Sequence, residues 1–233
     1  MIRNFLFRIF FFVGIIIISI LFLPGLIMPK SIIFFGGKVM GYWAKFCLKI
    51  FLSVKINIVG KENIVTDEKF FIACAHQSMF ETFFLQTIYN APIFILKKEL
   101  LNIPIFGLYL KKIDSVSINR NKTTKENLNF FDQIIKTVKN SNRPLLIFPQ
   151  GTRLLPNERI NFKKGTSRIY DVLKIKCQPI ALNSGNVWPK NKSLSNNKTI
   201  TISILKPIEP GLERENFLNL LQNNIYSELD KIN

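Results

Sequence analysis

The chain contains one histidine, His76, and five positions later an acid, Glu81, within an otherwise largely apolar stretch, CAHQSMFETFF (74–84). Imidazole is the side chain best suited to accept a proton near neutral pH. A carboxylate on its second nitrogen would set the ring tautomer and stabilise the imidazolium. No other histidine is present to activate a serine or cysteine, so a hydrolase-type covalent nucleophile is disfavoured and His76 is the simplest general base for a hydroxyl. The same residues also admit a purely structural reading. Ser78-Met-Phe-Glu81 fits a capping box with Ser78 as N-cap and Glu81 at N3, and His76 would then be a hydrogen-bonded residue at a strand end. On one continuous helix, residues five apart diverge by about 140°, so a pair requires a turn between His76 and the helix start. By itself, His-x4-Glu is a spacing that chance produces often.

Cations recur at comparable places. FPQGTR (148–153) follows an apolar run; Gly151 permits close backbone approach to a ligand, and Arg153 offers a planar fork for phosphate. Lys97 follows IFIL, and Arg120 follows IDSVSIN. Each alone reads as an ordinary solvated charge. Their shared position after strand-like runs is what groups them into a basic pocket around a base.

Those runs are KFFIACA (69–75), APIFILK (91–97), IDSVSIN (113–119), RPLLIFP (143–149), KCQPIAL (176–182) and TITISIL (199–205). Helical patterns fall between them, at Met79 to Tyr89 and Thr124 to Lys139, and turn-rich loops include NSGNVWPKNKSLSNNK. The alternation predicts a single α/β domain over residues 56–233, with a central mixed, largely parallel sheet flanked by helices and its site beyond the strand ends. Residues 1–55 are expected to be a membrane-anchoring or interfacial helical segment.

Charge and hydrophobicity support that division. The chain has 233 residues and a net charge of +17, which calls for a polyanion, either nucleic acid or an anionic membrane. Its aromatics cluster in apolar runs instead of interleaving with basic residues, which disfavours nucleic acid. No acid precedes Glu62, whereas eight Lys or Arg fall in the first 61 residues, and IFFFVGIIIISILFL (9–23) is uncharged. Extended to Phe5–Met28, this stretch is long enough to span a bilayer, while Pro24 and Gly25 could turn it back; spanning and re-entrant insertion both remain open. No small-x-small site follows it, which disfavours a cleaved leader. In the next segment, Ser31 to Lys55, Lys38, Lys45 and Lys49 would share a helix face, with Tyr42 and Trp43 at headgroup level. Three scattered cysteines suggest neither a disulfide framework nor a metal site.

Four blocks, taken in order, resemble the 1-acyl-glycerol-3-phosphate acyltransferase family. They are HQSMFE (76–81, against His-x4-Asp), KKELLNIPIFGLYLKKIDSVSINR (97–120), FPQGTR (148–153, against Phe-Pro-Glu-Gly-Thr-Arg) and CQPIALNSG (177–185). The resemblance covers roughly residues 50–210. It implies transfer of a fatty acyl group from acyl carrier protein or coenzyme A to lysophosphatidic acid at a membrane, with His76 as base and Glu81 supporting it. Lys97, Arg120, Gly151, Thr152 and Arg153 would bind the acceptor. The thioester is a co-substrate, and no metal or tightly held cofactor is implied. The implied location is a bacterial inner membrane with the catalytic domain on the cytoplasmic side. Glu81 in place of Asp and Gln150 in place of Glu depart from the pattern and leave the acceptor headgroup open; a lyso-ornithine lipid acceptor and a non-catalytic membrane scaffold are the alternatives.

Overall fold

Seven short strands, each with an apolar centre, assemble one sheet in a computed structural model that describes residues 2–118 and 129–233. They are β1 (Lys55–Val59), β2 (Phe70–Cys74), β3 (Ile93–Lys97), β4 (Val116–Ile118), β5 (Leu145–Ile147), β6 (Lys176–Leu182) and β7 (Thr199–Ile204), ordered β1-β7-β6-β2-β5-β3-β4. Strands β2 to β6 run parallel, β7 is antiparallel to β6, and β1 is parallel to β7. The C-terminal ends of five parallel strands therefore share one edge. All six apolar runs in the sequence become strands, shortened at most ends. β1 has no continuous apolar run to announce it, because its exposed and half-buried residues alternate at a sheet margin.

The sheet is covered on both faces. In β2, Ile72 and Cys74 face one hydrophobic layer and Phe71 and Ala73 the other, which explains a strand apolar at every position. Helices α5 (Phe130–Lys139), α6 (Lys164–Leu173) and α7 (Arg214–Ile232) pack on the Phe71 side through Ile134, Tyr170, Phe217 and Leu221. On the Ile72 side lie α3 (Phe80–Ile88) and a helical hairpin made of α1 (Ile2–Leu21) and α2 (Lys30–Leu52). A short helix, α4 (Phe106–Lys112), packs at the hairpin's turn.

The hairpin is fastened to the domain along its length. Phe7, Phe11, Gly14 and Ile18 form one buried stripe at helical spacing. Phe7 and Phe11 meet Trp188 edge-on and share the core of Cys74, Leu146 and Ile180. Asn4 donates to the Leu194 carbonyl at 3.0 Å, and the Tyr109 hydroxyl donates to that of Ser19. Pro24 and Gly25 occupy a single 3-10 turn, Leu23–Leu26, that sends the chain back. Only glycine fits at position 14, where an added Cβ would lie 2.1 Å from the Trp43 indole. Trp43 in turn donates to the Phe11 carbonyl at 3.2 Å. This departs from the expectation of a headgroup-level Trp43: the indole fills the seam between two helices, while Tyr42 is exposed. The lysine face also divides. Lys38 reaches Asn90 on the domain, whereas Lys45 and Lys49 are exposed.

Candidate active site

Past β2 the chain makes one further sheet bond, Ala75 N–H to the Ile180 carbonyl at 2.9 Å, and then turns into α3. This turn brings Glu81 back to His76. Glu81 is completely buried, and its Oε1 accepts from His76 Nδ1 at 2.9 Å and from the backbone N–H groups of Gln77 and Ser78, both at 2.7 Å. Its Oε2 accepts from the Ser184 hydroxyl at 2.8 Å. Two backbone N–H groups already point at Oε1, so that atom is an acceptor and Nδ1 carries the hydrogen. The neutral ring then presents Nε2 with a free lone pair.

The capping interactions exist as well. Ser78 Oγ accepts from Phe80 N–H at 3.1 Å, while Glu81 reaches back to Ser78 N–H. The helix begins at Phe80, later than the box predicted, so Glu81 lies in its first turn without being N3. Capping and ring orientation turn out to be one arrangement, because a single carboxylate oxygen does both.

The turn after β5 holds His76 from the neighbouring strand. Phe148 stacks on the imidazole at 4.0 Å between ring centres. Gln150, buried, accepts from His76 N–H through Oε1 at 2.8 Å, and Leu154 N–H donates to the His76 carbonyl at 2.9 Å. Gly151 N–H donates to the Phe148 carbonyl at 2.9 Å, closing a four-residue turn with Pro149 at its second position. Gly151 has φ +72°, which a side chain would strain.

Of the residues expected at the site, His76, Glu81, Gly151, Thr152 and Arg153 come together on the adjacent ends of β2 and β5. Thr152 is exposed and Arg153 half-buried. Lys97, exposed at the end of β3, stands two strands from β2, a lateral distance of about 10 Å at ordinary strand spacing. Arg120 lies outside the described residues. The sequence reasoning missed Ser184 and the structural use of Gln150. The signals for Ser184 were its position just after the strand-like run ending at Leu182 and its place in the fourth block, CQPIALNSG.

The buried thiol and serine hydroxyls beside the pair are already committed. Ser78 and Ser184 are fully buried and hydrogen-bonded as above. Burial, reinforced by the Glu81 charge, pushes the Cys74 thiol well above its ordinary range. Among the described residues, no protein group occupies Nε2. An approaching hydroxyl is therefore the natural partner for that lone pair.

Fold and site together define an α/β protein whose histidine–carboxylate pair stands on the shared edge of parallel strands. Residues 55–183 match the family described as Acyltransferase, and the chain belongs to that family. A Helicobacter pylori protein named 1-acyl-sn-glycerol-3-phosphate acyltransferase is 30% identical over 161 residues, 67% of this chain and 67% of the relative. A Pseudomonas aeruginosa protein of the same name is 30% identical over 154 residues, 64% of this chain and 58% of the relative. One from Saccharomyces cerevisiae is 28% identical over 165 residues, covering 69% and 54%. The chain thus spans between about half and two thirds of the length of these relatives. Among solved structures, the 1-acyl-sn-glycerophosphate (LPA) acyltransferase PlsC from Thermotoga maritima matches with a TM-score of 0.81. It is 19% identical, and the match covers 99% of this chain and 97% of that one, a likeness of fold.

Proposed function

We propose that the protein transfers a fatty acyl group from a thioester, carried by acyl carrier protein or coenzyme A, to the free hydroxyl of 1-acyl-sn-glycerol 3-phosphate, forming phosphatidic acid. The observation that carries this reading is the open Nε2 of His76, backed by a buried carboxylate through Nδ1 and lying beside a turn that bears Arg153. His76 Nε2 takes the hydroxyl proton as the oxygen attacks the thioester carbonyl. Glu81 stabilises the imidazolium that forms. The tetrahedral intermediate collapses with expulsion of the thiolate, which recovers the proton from His76. No acyl-enzyme is formed, and the reaction as written requires no metal or bound cofactor. Arg153, together with Lys97, Gly151 and Thr152, would hold or shape the site for the acceptor phosphate; Arg120 is assigned the same role from sequence alone.

The hairpin supports a membrane location. Among the described residues, α1 is the one helix long and apolar enough to cross a bilayer, with a mean hydropathy of 2.4. Yet one stripe of it is packed into the domain core, while Phe5, Ile9, Phe12, Ile16 and Ile20 remain exposed on other faces. A helix joined to the domain at both ends favours lying in one leaflet over crossing it, with exposed Lys45 and Lys49 near anionic headgroups. This would bring the site to the lipid surface, on the cytoplasmic side of a bacterial inner membrane. His76→Ala should abolish transfer to lysophosphatidic acid from both thioesters while the variant still sediments with membranes. Activity equal to wild type in that variant would remove His76 as the base.

A further inference from the structure

Lys163 lies on the site turn although it is distant from it in sequence. Its backbone N–H donates to the Pro149 carbonyl at 2.9 Å, tying the start of α6 to the turn between Phe148 and Gly151. Its side chain runs over Gly151: a Cβ added there would lie 3.3 Å from Lys163 Cγ and 3.5 Å from its Cε. The ammonium carried on Cε is therefore held beside the residues leading to Arg153. Lys163 is exposed, and among the described residues no carboxylate pairs with it. A cation whose stem lies against the turn and whose head has no acid partner among the described residues is placed to receive an anion. Resting on the reaction proposed above, we propose that Lys163 binds the phosphate of the acceptor together with Arg153, and so selects phosphorylated acceptors.

Reach assigns this cation to the acceptor and not to the thioester. A hydroxyl giving its proton to His76 must approach Nε2 to about 3 Å. In a glycerol 3-phosphate the phosphorus follows that oxygen by four bonds, so it lies within roughly 5 Å of the reacting hydroxyl. The phosphate nearest a thioester carbonyl is separated from it by a pantetheine arm of roughly 15 Å or more when extended. The turn after β5 contacts His76 directly through Phe148, Gln150 and Leu154, so cations on it fall in the short range. Lys97 is two strands away and less well placed.

The test compares wild type, Lys163→Met and Lys163→Arg in detergent micelles, varying 1-acyl-glycerol 3-phosphate and the thioester separately. Loss of a charge-assisted phosphate contact should raise the acceptor KM about tenfold. The kcat should change less than about twofold, and the thioester KM should stay unchanged; Lys163→Arg should restore most of the acceptor affinity. Equilibrium binding of the same lysophospholipid, measured calorimetrically, should weaken by the same factor in Lys163→Met. An acceptor KM and Kd equal to wild type would overturn the assignment, and so would an effect confined to the thioester KM. Failure of wild type to turn over any acceptor would count against the acyltransfer reading alone, because the binding comparison still reports on Lys163 without catalysis.

Discussion

Replacing Glu81 by Gln separates the charge of this carboxylate from its architecture. The Gln77 and Ser78 N–H groups require an oxygen where Oε1 stands, so the amide should orient with its oxygen toward them and toward His76 Nδ1. The Ser184 hydroxyl, which now donates to Oε2, can rotate to accept from the new amide nitrogen. Hydrogen-bond count, helix start and ring tautomer are then retained, and only the negative charge is lost. Two full charges at the 2.9 Å contact distance would attract by about 6 kcal/mol at an effective dielectric of about 20. Spread over carboxylate and ring, with centres about 4.5 Å apart, the attraction is about 4 kcal/mol. That attraction arises only when His76 holds the abstracted proton, so it should disappear from kcat as a fall of roughly a thousandfold. The rate is read as thiol released from acyl thioester in the presence of lysophosphatidic acid, with thermal unfolding monitored in parallel. Glu81→Gln should keep a wild-type melting temperature. Glu81→Ala should lose stability by about 2 kcal/mol or more, because it strands buried N–H donors. A Glu81→Gln variant with kcat within threefold of wild type would show that the carboxylate is only a helix cap. A Glu81→Gln variant that loses activity and unfolds early would show that the charge was never isolated.

Further outcomes follow from other buried groups. Ser184→Ala removes the donor to a buried carboxylate oxygen, at a cost of about 1–3 kcal/mol; melting temperature should fall and kcat drop about tenfold, with acceptor KM unchanged, and an unaltered kcat would show that Oε2 needs no support. Cys74 and Cys177 are fully buried, and burial raises both thiols well above their ordinary 9.0. Native protein at pH 8 should therefore resist alkylation at both until it is unfolded. Because the folded state keeps protons that the unfolded chain gives up, the stability tied to these thiols is complete below about pH 9 and declines as pH rises beyond it. Denaturant midpoints measured from pH 7 to 10 check the decline, and rapid labelling of the native thiols would contradict their burial.

Much of this protein is legible in its chain because its signals are local. Apolar runs of strand length separated by turn residues announce a sheet, and all six became strands. His76 follows such a run directly, Gly151 and Arg153 lie two and four residues beyond another, and parallel strands must deliver their C-terminal ends to one edge. Tertiary packing decided what depends on neighbours remote in sequence. Strand order alone made β2 and β5 adjacent and left Lys97 two strands off. Ser184 reaches Glu81 across 103 positions, and Lys163 lies on a turn that no spacing rule connects to it. Trp43 shows the same limit: composition suggested a headgroup-level aromatic, but a glycine on the facing helix opened a slot, and burying the indole there was the better use of its surface. Periodicity reports which face of an element is apolar; which partner covers that face is settled only when the elements pack.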